Sequence, residues 1–180
     1  MLLNIAGGDR VEDLGKIQQD EGFCRVVRRV EQQGMKRRER REMERRWRSV
    51  PSPSAAFRYL SAFHDKDQGS NRITGKAFIP VPNEHLRGLA KINQGMAAFM
   101  QKRDPQRIAT LDQDATVVAT AKRDALFGYK GFKSYQPLNT WWAEHEMVLH
   151  TEFRDGNVPA GYEQLRVLKE SLSLLPAGVE

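Results

Sequence analysis

Arg107-Ile-Ala-Thr-Leu-Asp-Gln-Asp-Ala-Thr-Val-Val-Ala-Thr120 sets two carboxylates inside an apolar, β-branched run. Ile108, Thr110, Thr116, Val117, Val118 and Thr120 favour an extended backbone, and period-two alternation places Asp112 and Asp114 on one face of the resulting strand. A carboxylate on a buried or half-buried strand stays ionised only with a cation or hydrogen bonds to hold it. Two such groups side by side suit a hard divalent cation, which takes oxygen ligands. The alternative is that both Asp are solvated on the outer face of a half-buried strand.

Toward the C-terminus the chain turns through Ala121 to Gly128 and resumes as an aromatic-rich strand from Tyr129 to Trp142. A third strand, Met147 to Phe153, follows the short turn Ala143 to Glu146, and Arg154-Asp-Gly-Asn157 closes it with a glycine-containing turn. Pro159 then stands near the start of a helix that crosses the sheet, whose Leu165, Leu168, Leu172 and Leu175 recur at three- and four-residue spacing, and a sheet that stops after three strands leaves part of this apolar surface exposed. Strand, strand, strand, helix is the opening order of a ribonuclease H-like domain, with a carboxylate on its first strand. The expected fold is mixed α/β: a helical, basic region over 1–103, then over 104–180 a three-strand antiparallel meander plus a helix, the first half of such a domain.

The motifs Leu111-Asp-Gln-Asp-Ala-Thr116, Tyr129-Lys-Gly-Phe-Lys-Ser-Tyr-Gln-Pro-Leu138 and Phe153-Arg-Asp-Gly-Asn157, ahead of a Leu-rich helix, resemble the catalytic domain of DDE-type transposases of bacterial insertion sequences. The segments from Leu2 to Leu14, Asp20 to Glu31 and Ser52 to Asp65 are similar to the N-terminal helical region of the same family. In that family two Asp and one Glu hold two divalent ions, usually Mg²⁺, for phosphodiester cleavage and strand transfer. The resemblance implies that Asp114 is the catalytic, metal-ligating Asp of the first strand, with Asp112 as the second candidate ligand. The family's second Asp is expected on a strand after the Leu-rich helix and its Glu further on. Glu152, Asp155, Glu163 and Glu170 match neither motif and read as a strand-face residue, a turn residue and helix-surface residues. The chain therefore resembles a truncated transposase, a fragment, with a catalytically inactive DNA-binding or interaction remnant as the alternative. DNA in the form of transposon ends is the implied partner, a homo-oligomer is a further one, and the implied setting is the bacterial cytoplasm and nucleoid.

Charge is concentrated upstream. Arg25 to Arg48 holds 11 Lys or Arg against four Asp or Glu, a net of +7 where the whole chain is +6. Lys36, Arg37, Arg38, Arg40, Arg41, Arg45, Arg46 and Arg48 lie on a run of good helix formers, with Glu39, Glu42 and Glu44 at spacings that can pair with Arg along a helix. Such a helix is either a solvated surface or a phosphate-contacting one. Arg and Lys neutralise phosphates and release counterions, which yields affinity without sequence information.

Elsewhere the sequence predicts helices capped by Asp9 over Val11 to Gln18, by Asp20 over Gly22 to Val30, and by Ser52 or Ser54 over Ala55 to Phe63. A loop or boundary follows over Asp65 to Pro82, then a long helix over Glu84 to Arg103. At 180 residues with 39% hydrophobic residues the chain can form one or two small domains. Cys24 is alone, which excludes an intramolecular disulfide. Residues 1–6 form too short an apolar run for a signal peptide, and no segment approaches membrane-spanning length. His64, His85, His145 and His150 lack a paired helical spacing for metal. Trp141 and Trp142 are either core anchors or stacking platforms for bases, and Lys130 and Lys133 are either edge-protecting or phosphate-facing.

Overall fold

A computed structural model describes residues 7–46 and 48–179. Trp47, the side chain of Arg46 and the run 1–6 considered for a signal peptide lie outside the described residues. The chain is mixed α/β, with N-terminal helices followed by two small antiparallel three-strand sheets and a C-terminal helix. It divides into two compact units between His64 and Asp65.

In the first unit a 3₁₀ turn, Val11–Asp13, leads into α1 (Leu14–Gln19), α2 (Glu21–Glu31), α3 (Arg37–Arg46) and α4 (Pro53–Ser61). Asp20 starts α2 by accepting the Phe23 N–H at 2.9 Å, and Ser52 starts α4 by accepting that of Ala55, with Pro53 at the first helical position. Asp9 does not cap as expected. Asp13 instead accepts the backbone N–H groups of Asp9 and Arg10, both at 3.1 Å, so the first turn is held from within. Cys24 and Val50 are the buried apolar side chains of this unit among the described residues, and the Cys24 thiol points at the carbonyls that end α1.

The second unit begins with α5 (Lys66–Ser70), a short helix capped by Asp65 inside the stretch expected to be loop, and continues with α6 (Glu84–Arg103), capped by Asn83. The six strands are β1 (Leu111–Ala115), β2 (Val118–Ala119), β3 (Leu126–Phe127), β4 (Lys133–Tyr135), β5 (Leu138–Trp142) and β6 (Met147–Glu152), and α7 (Gln164–Ser173) ends the fold. One sheet has the order β1-β5-β6, the other β2-β4-β3, all pairs antiparallel. The expected three-strand meander is thus present as β1-β5-β6. Its first two strands run on into the second sheet, and Leu126 and Phe127, expected within a turn, add β3 to it.

Along β4 and β5 alternate residues Ser134, Gln136, Leu138, Thr140 and Trp142 are all buried. Three of these five are polar, so burial requires partners. Thr140 Oγ1 lies 2.8 Å from Ser171 Oγ on α7 and accepts from Gln113 Nε2 on β1, and Gln136 N–H donates to the Arg154 carbonyl. The apolar core is Ala97 of α6 with Trp142 and Leu149, with Leu111, Met147, Leu174 and Leu175 packed around them.

The C-terminal helix leaves part of its leucine face exposed, as expected for this short sheet. Val167 and Ser171 are its buried residues, whereas Leu165 and Leu172 are 65% and 51% exposed. Leu168 is half-buried and Leu175 packs on the core, so the leucine face is covered at one edge and open at the other. The close Thr140–Ser171 contact admits a small hydroxyl residue where a leucine would not fit.

Candidate functional site

Backbone pleating brings Asp112 and Asp114 to one face of β1, both exposed, with Leu111, Gln113 and Ala115 turned toward the other face. The register sets Asp112 opposite Trp141 and Asp114 opposite Asn139, and the next strand adds Val148 opposite Trp141 and Thr151 opposite Asn139. This outer face is therefore two carboxylates, Asn139, Thr151 and the 40%-exposed ring of Trp141. Asn139 is fixed from both sides: its Nδ2 donates to Thr116 Oγ1 at 3.3 Å and its Oδ1 accepts from Thr151 Oγ1 at 2.7 Å. Two neighbouring Trp residues thus have separate places, since Trp142 is fully buried in the core.

The charges of this strand are solvated, which removes the cost that pointed to a metal on burial grounds. Among the described residues no three His, Cys, Asp or Glu side chains come together as a donor set for a metal ion. Asp112 and Asp114 with their amide and hydroxyl neighbours do not fit the three-carboxylate, two-ion arrangement that the resemblance implies. Among the described residues β1 is however an edge strand, paired with β5 alone, so one side of it is open to a further strand.

The edge is anchored by Glu144. Its carboxylate accepts from the Thr110 backbone N–H at 2.9 Å and the Thr110 hydroxyl at 2.6 Å, and these bonds hold its pKa below the ordinary glutamate value. The segment Arg154 to Asn157, expected as a simple turn, is the most buried polar part of the unit. Arg154 is fully buried, donating from Nε to Glu152 Oε1 and from Nη1 to the Tyr162 carbonyl at 2.8 Å. Asp155 is 1% exposed and meets Arg72 Nη2 at 3.0 Å; burial pushes its pKa up, against the pull of that guanidinium. Gly156 lies on Ser134, and Asn157 Nδ2 donates to the Lys76 carbonyl. Asp155 is thus a buried structural carboxylate.

Glu152 is similarly engaged. It pairs with Arg154 and with Arg166, and Arg166 also pairs with Glu163 at 2.7 Å and Glu170 at 2.8 Å. Burial holds the His150 pKa below its ordinary value, with Glu170 and Glu152 pulling it up and Arg166 pulling it down. His145 sits edge-on to Trp142 with its Nε2 3.1 Å from Gln101 Oε1, a core role. Lys133 donates to the Arg123 carbonyl at 2.6 Å from the central strand of its sheet, so it protects no edge. Lys130 lies over the ring of its neighbour Tyr129.

In the other unit Lys36, Arg37, Arg38, Arg40, Arg41, Arg45 and Arg48 are all exposed. At 100° per residue Arg37, Arg38, Arg41 and Arg45 form one stripe of α3, opposite the half-buried Met43. Among the described residues none of the Glu–Arg pairs expected along this helix forms at the four stripe arginines, and Glu42 is not without a partner. Glu39 turns back to accept the Lys36 backbone N–H at 2.8 Å, and Glu44 accepts from Gln32 Nε2 on α2. Among the described residues no carboxylate lies within ion-pair distance of the four stripe guanidiniums. Burying Met43 turns the arginines outward, and with Glu39 bonded at the helix start and Glu44 in contact with α2 the four stripe arginines have no carboxylate partner among the described residues.

Comparison with family models, with curated proteins and with solved structures finds no match to this chain. Among the described residues no helix is long and apolar enough to cross a membrane.

Proposed function

We propose that this chain binds duplex DNA through α3 and carries the first-strand part of a DDE transposase catalytic sheet. The observation that carries the reading is the outward stripe Arg37, Arg38, Arg41 and Arg45, four exposed guanidiniums without a carboxylate partner among the described residues. Arg45 lies eight residues beyond Arg37, about 12 Å along the helix, which suits contact with more than one phosphate of a backbone.

The transposase part rests on the motif resemblance together with the position of Asp114, exposed in an edge strand whose open side can take a further strand bearing a second carboxylate. Mg²⁺ is the metal of the intact family, and the set around Asp114 in this chain does not complete its site. The reading is accordingly a DNA-binding protein related to transposases, acting in a bacterial cytoplasm.

Salt-titrated fluorescence anisotropy on a labelled duplex tests it. Replacing the four stripe arginines by Gln removes up to four phosphate contacts, and each lost contact flattens the slope of log K against log salt by about 0.9, roughly 3.6 for all four. An unchanged slope, or no binding by the unaltered chain at low salt, would return α3 to a solvated surface helix.

A further inference from the structure

We propose that the face of the β2-β4-β3 sheet carrying Phe127, Lys133 and Tyr135 binds unpaired nucleotides, a chemistry beyond the duplex phosphate contact of α3. Directly opposed residues of antiparallel strands share a face, and so do alternate residues of one strand. Phe127 lies opposite Lys133, Val118 lies opposite Tyr135, and Lys133 and Tyr135 alternate along β4, so all four share one face. Phe153, just after β6, sets its ring centroid 4.9 Å from that of Tyr135. Phe127 and Phe153 are 64% and 45% exposed. The hairpin that presents Phe127 is closed by its own backbone. Gly128 N–H donates to the Phe132 carbonyl at 2.9 Å and Gly131 N–H to the Gly128 carbonyl at 3.0 Å, with Gly131 in the left-handed conformation that glycine alone adopts freely.

Charge selects the occupant. Residues 122–133 hold four Lys or Arg against one Asp, and that Asp124 is tied to Arg123 at 3.1 Å. Among the described residues Lys122, Lys130 and Lys133 form no ion pair. Lys133 donates one N–H to the Arg123 carbonyl at 2.6 Å, which leaves its ammonium two donors for a phosphate. Lys122 Nζ is 5.9 Å from the centre of the Tyr135 ring. An ammonium set among the rings is costly against a lipid interior, but flat rings interleaved with cations match the bases and phosphates of a nucleic-acid strand. The bases must be unpaired, because a duplex keeps their faces stacked inside. Diagonal neighbours such as Phe127 and Tyr135 stand about 7 to 8 Å apart, roughly twice the step of about 3.4 Å in a stacked strand. The rings therefore suit an extended strand with its bases splayed apart.

Fluorescence anisotropy of the full chain with a labelled oligothymidylate of about 16 nucleotides, which does not self-pair, tests this beside the labelled duplex. The chain should bind the single strand at low salt, and Phe127→Ala should weaken that binding by about 5- to 100-fold with unchanged circular dichroism and duplex affinity. Phe127→Leu should lose as much, since it keeps apolar area without the flat face, whereas Phe127→Tyr should retain binding. With the four stripe arginines of α3 changed to Gln, the loss caused by Phe127→Ala should persist, so failure of the duplex reading does not decide this one. No single-strand binding by the unaltered chain, or equal single-strand affinity in Phe127→Ala, overturns the proposal. Full affinity in Phe127→Leu overturns it too, as does attachment to vesicles of equimolar phosphatidylcholine and phosphatidylserine that Phe127→Ala abolishes while single-strand affinity stays.

Discussion

Removing the cation beside Asp155 is the sharpest test of how this fold holds together. Arg72→Met keeps the aliphatic stem but deletes the guanidinium 3.0 Å from a carboxylate that is 1% exposed. Breaking a fully buried pair in this way costs about 3 to 5 kcal/mol. The Arg72 side chain is 32% exposed, so water reaches part of the site, and a loss of about 2 to 3 kcal/mol is expected. For a unit of this size that corresponds to a fall in Tm of roughly 10 °C. The pH dependence gives the argument its sign. Burial raises the pKa of Asp155 in the folded chain, so its protonated form is relatively favoured there, and the stability it contributes is full below the unfolded value of 3.8 and declines as pH rises through the folded value. Without Arg72 the folded pKa rises further. The deficit of the variant should therefore be large at neutral pH and shrink toward pH 4. Thermal melts followed by circular dichroism at both pH values measure it. Equal Tm values at neutral pH, or a deficit that does not change with pH, would refute the reasoning.

Gly156→Ala should destabilise by about 2 to 3 kcal/mol, because the added methyl would sit 2.5 Å from the Ser134 carbonyl oxygen and 3.0 Å from that of Leu126, backbone that cannot swing aside; urea unfolding reads the change. On α7, Leu172→Gln should alter stability by less than about 0.5 kcal/mol while Val167→Ala costs about 1 to 3 kcal/mol, because Leu172 is exposed and Val167 buried. With Mg²⁺ or Mn²⁺ the chain should leave supercoiled plasmid intact, and Asp114→Asn should leave duplex affinity unchanged. Nicking that persists through purification and disappears in Asp114→Asn would show a working metal centre.

Local chemistry made much of the chain legible in advance. The helix starts at Asp20 and Ser52 were readable because a cap bonds a backbone N–H three residues away, and the three strands of the β1-β5-β6 sheet and the shared face of Asp112 and Asp114 follow from alternation. The dense arginines of α3 were visible as composition. That Arg37, Arg38, Arg41 and Arg45 have no carboxylate partner among the described residues was not, because Glu44 found Gln32 on another helix. Periodicity marks faces but carries no information on which face another element covers, and so α7 buries Val167 and Ser171 while Leu165 and Leu172 remain outside. Trp141 and Trp142 differ for the same reason. The turn Arg154 to Asn157 was recognisable as a turn, whereas its burial depends on Arg72, 83 residues from Asp155, and on the close approach of Ser134 to Gly156. Short-range hydrogen bonds and side-chain alternation are properties of neighbouring residues, so the sequence by itself determined the elements. Burial and charge pairing are properties of residues far apart along the chain, and only the tertiary structure decided them.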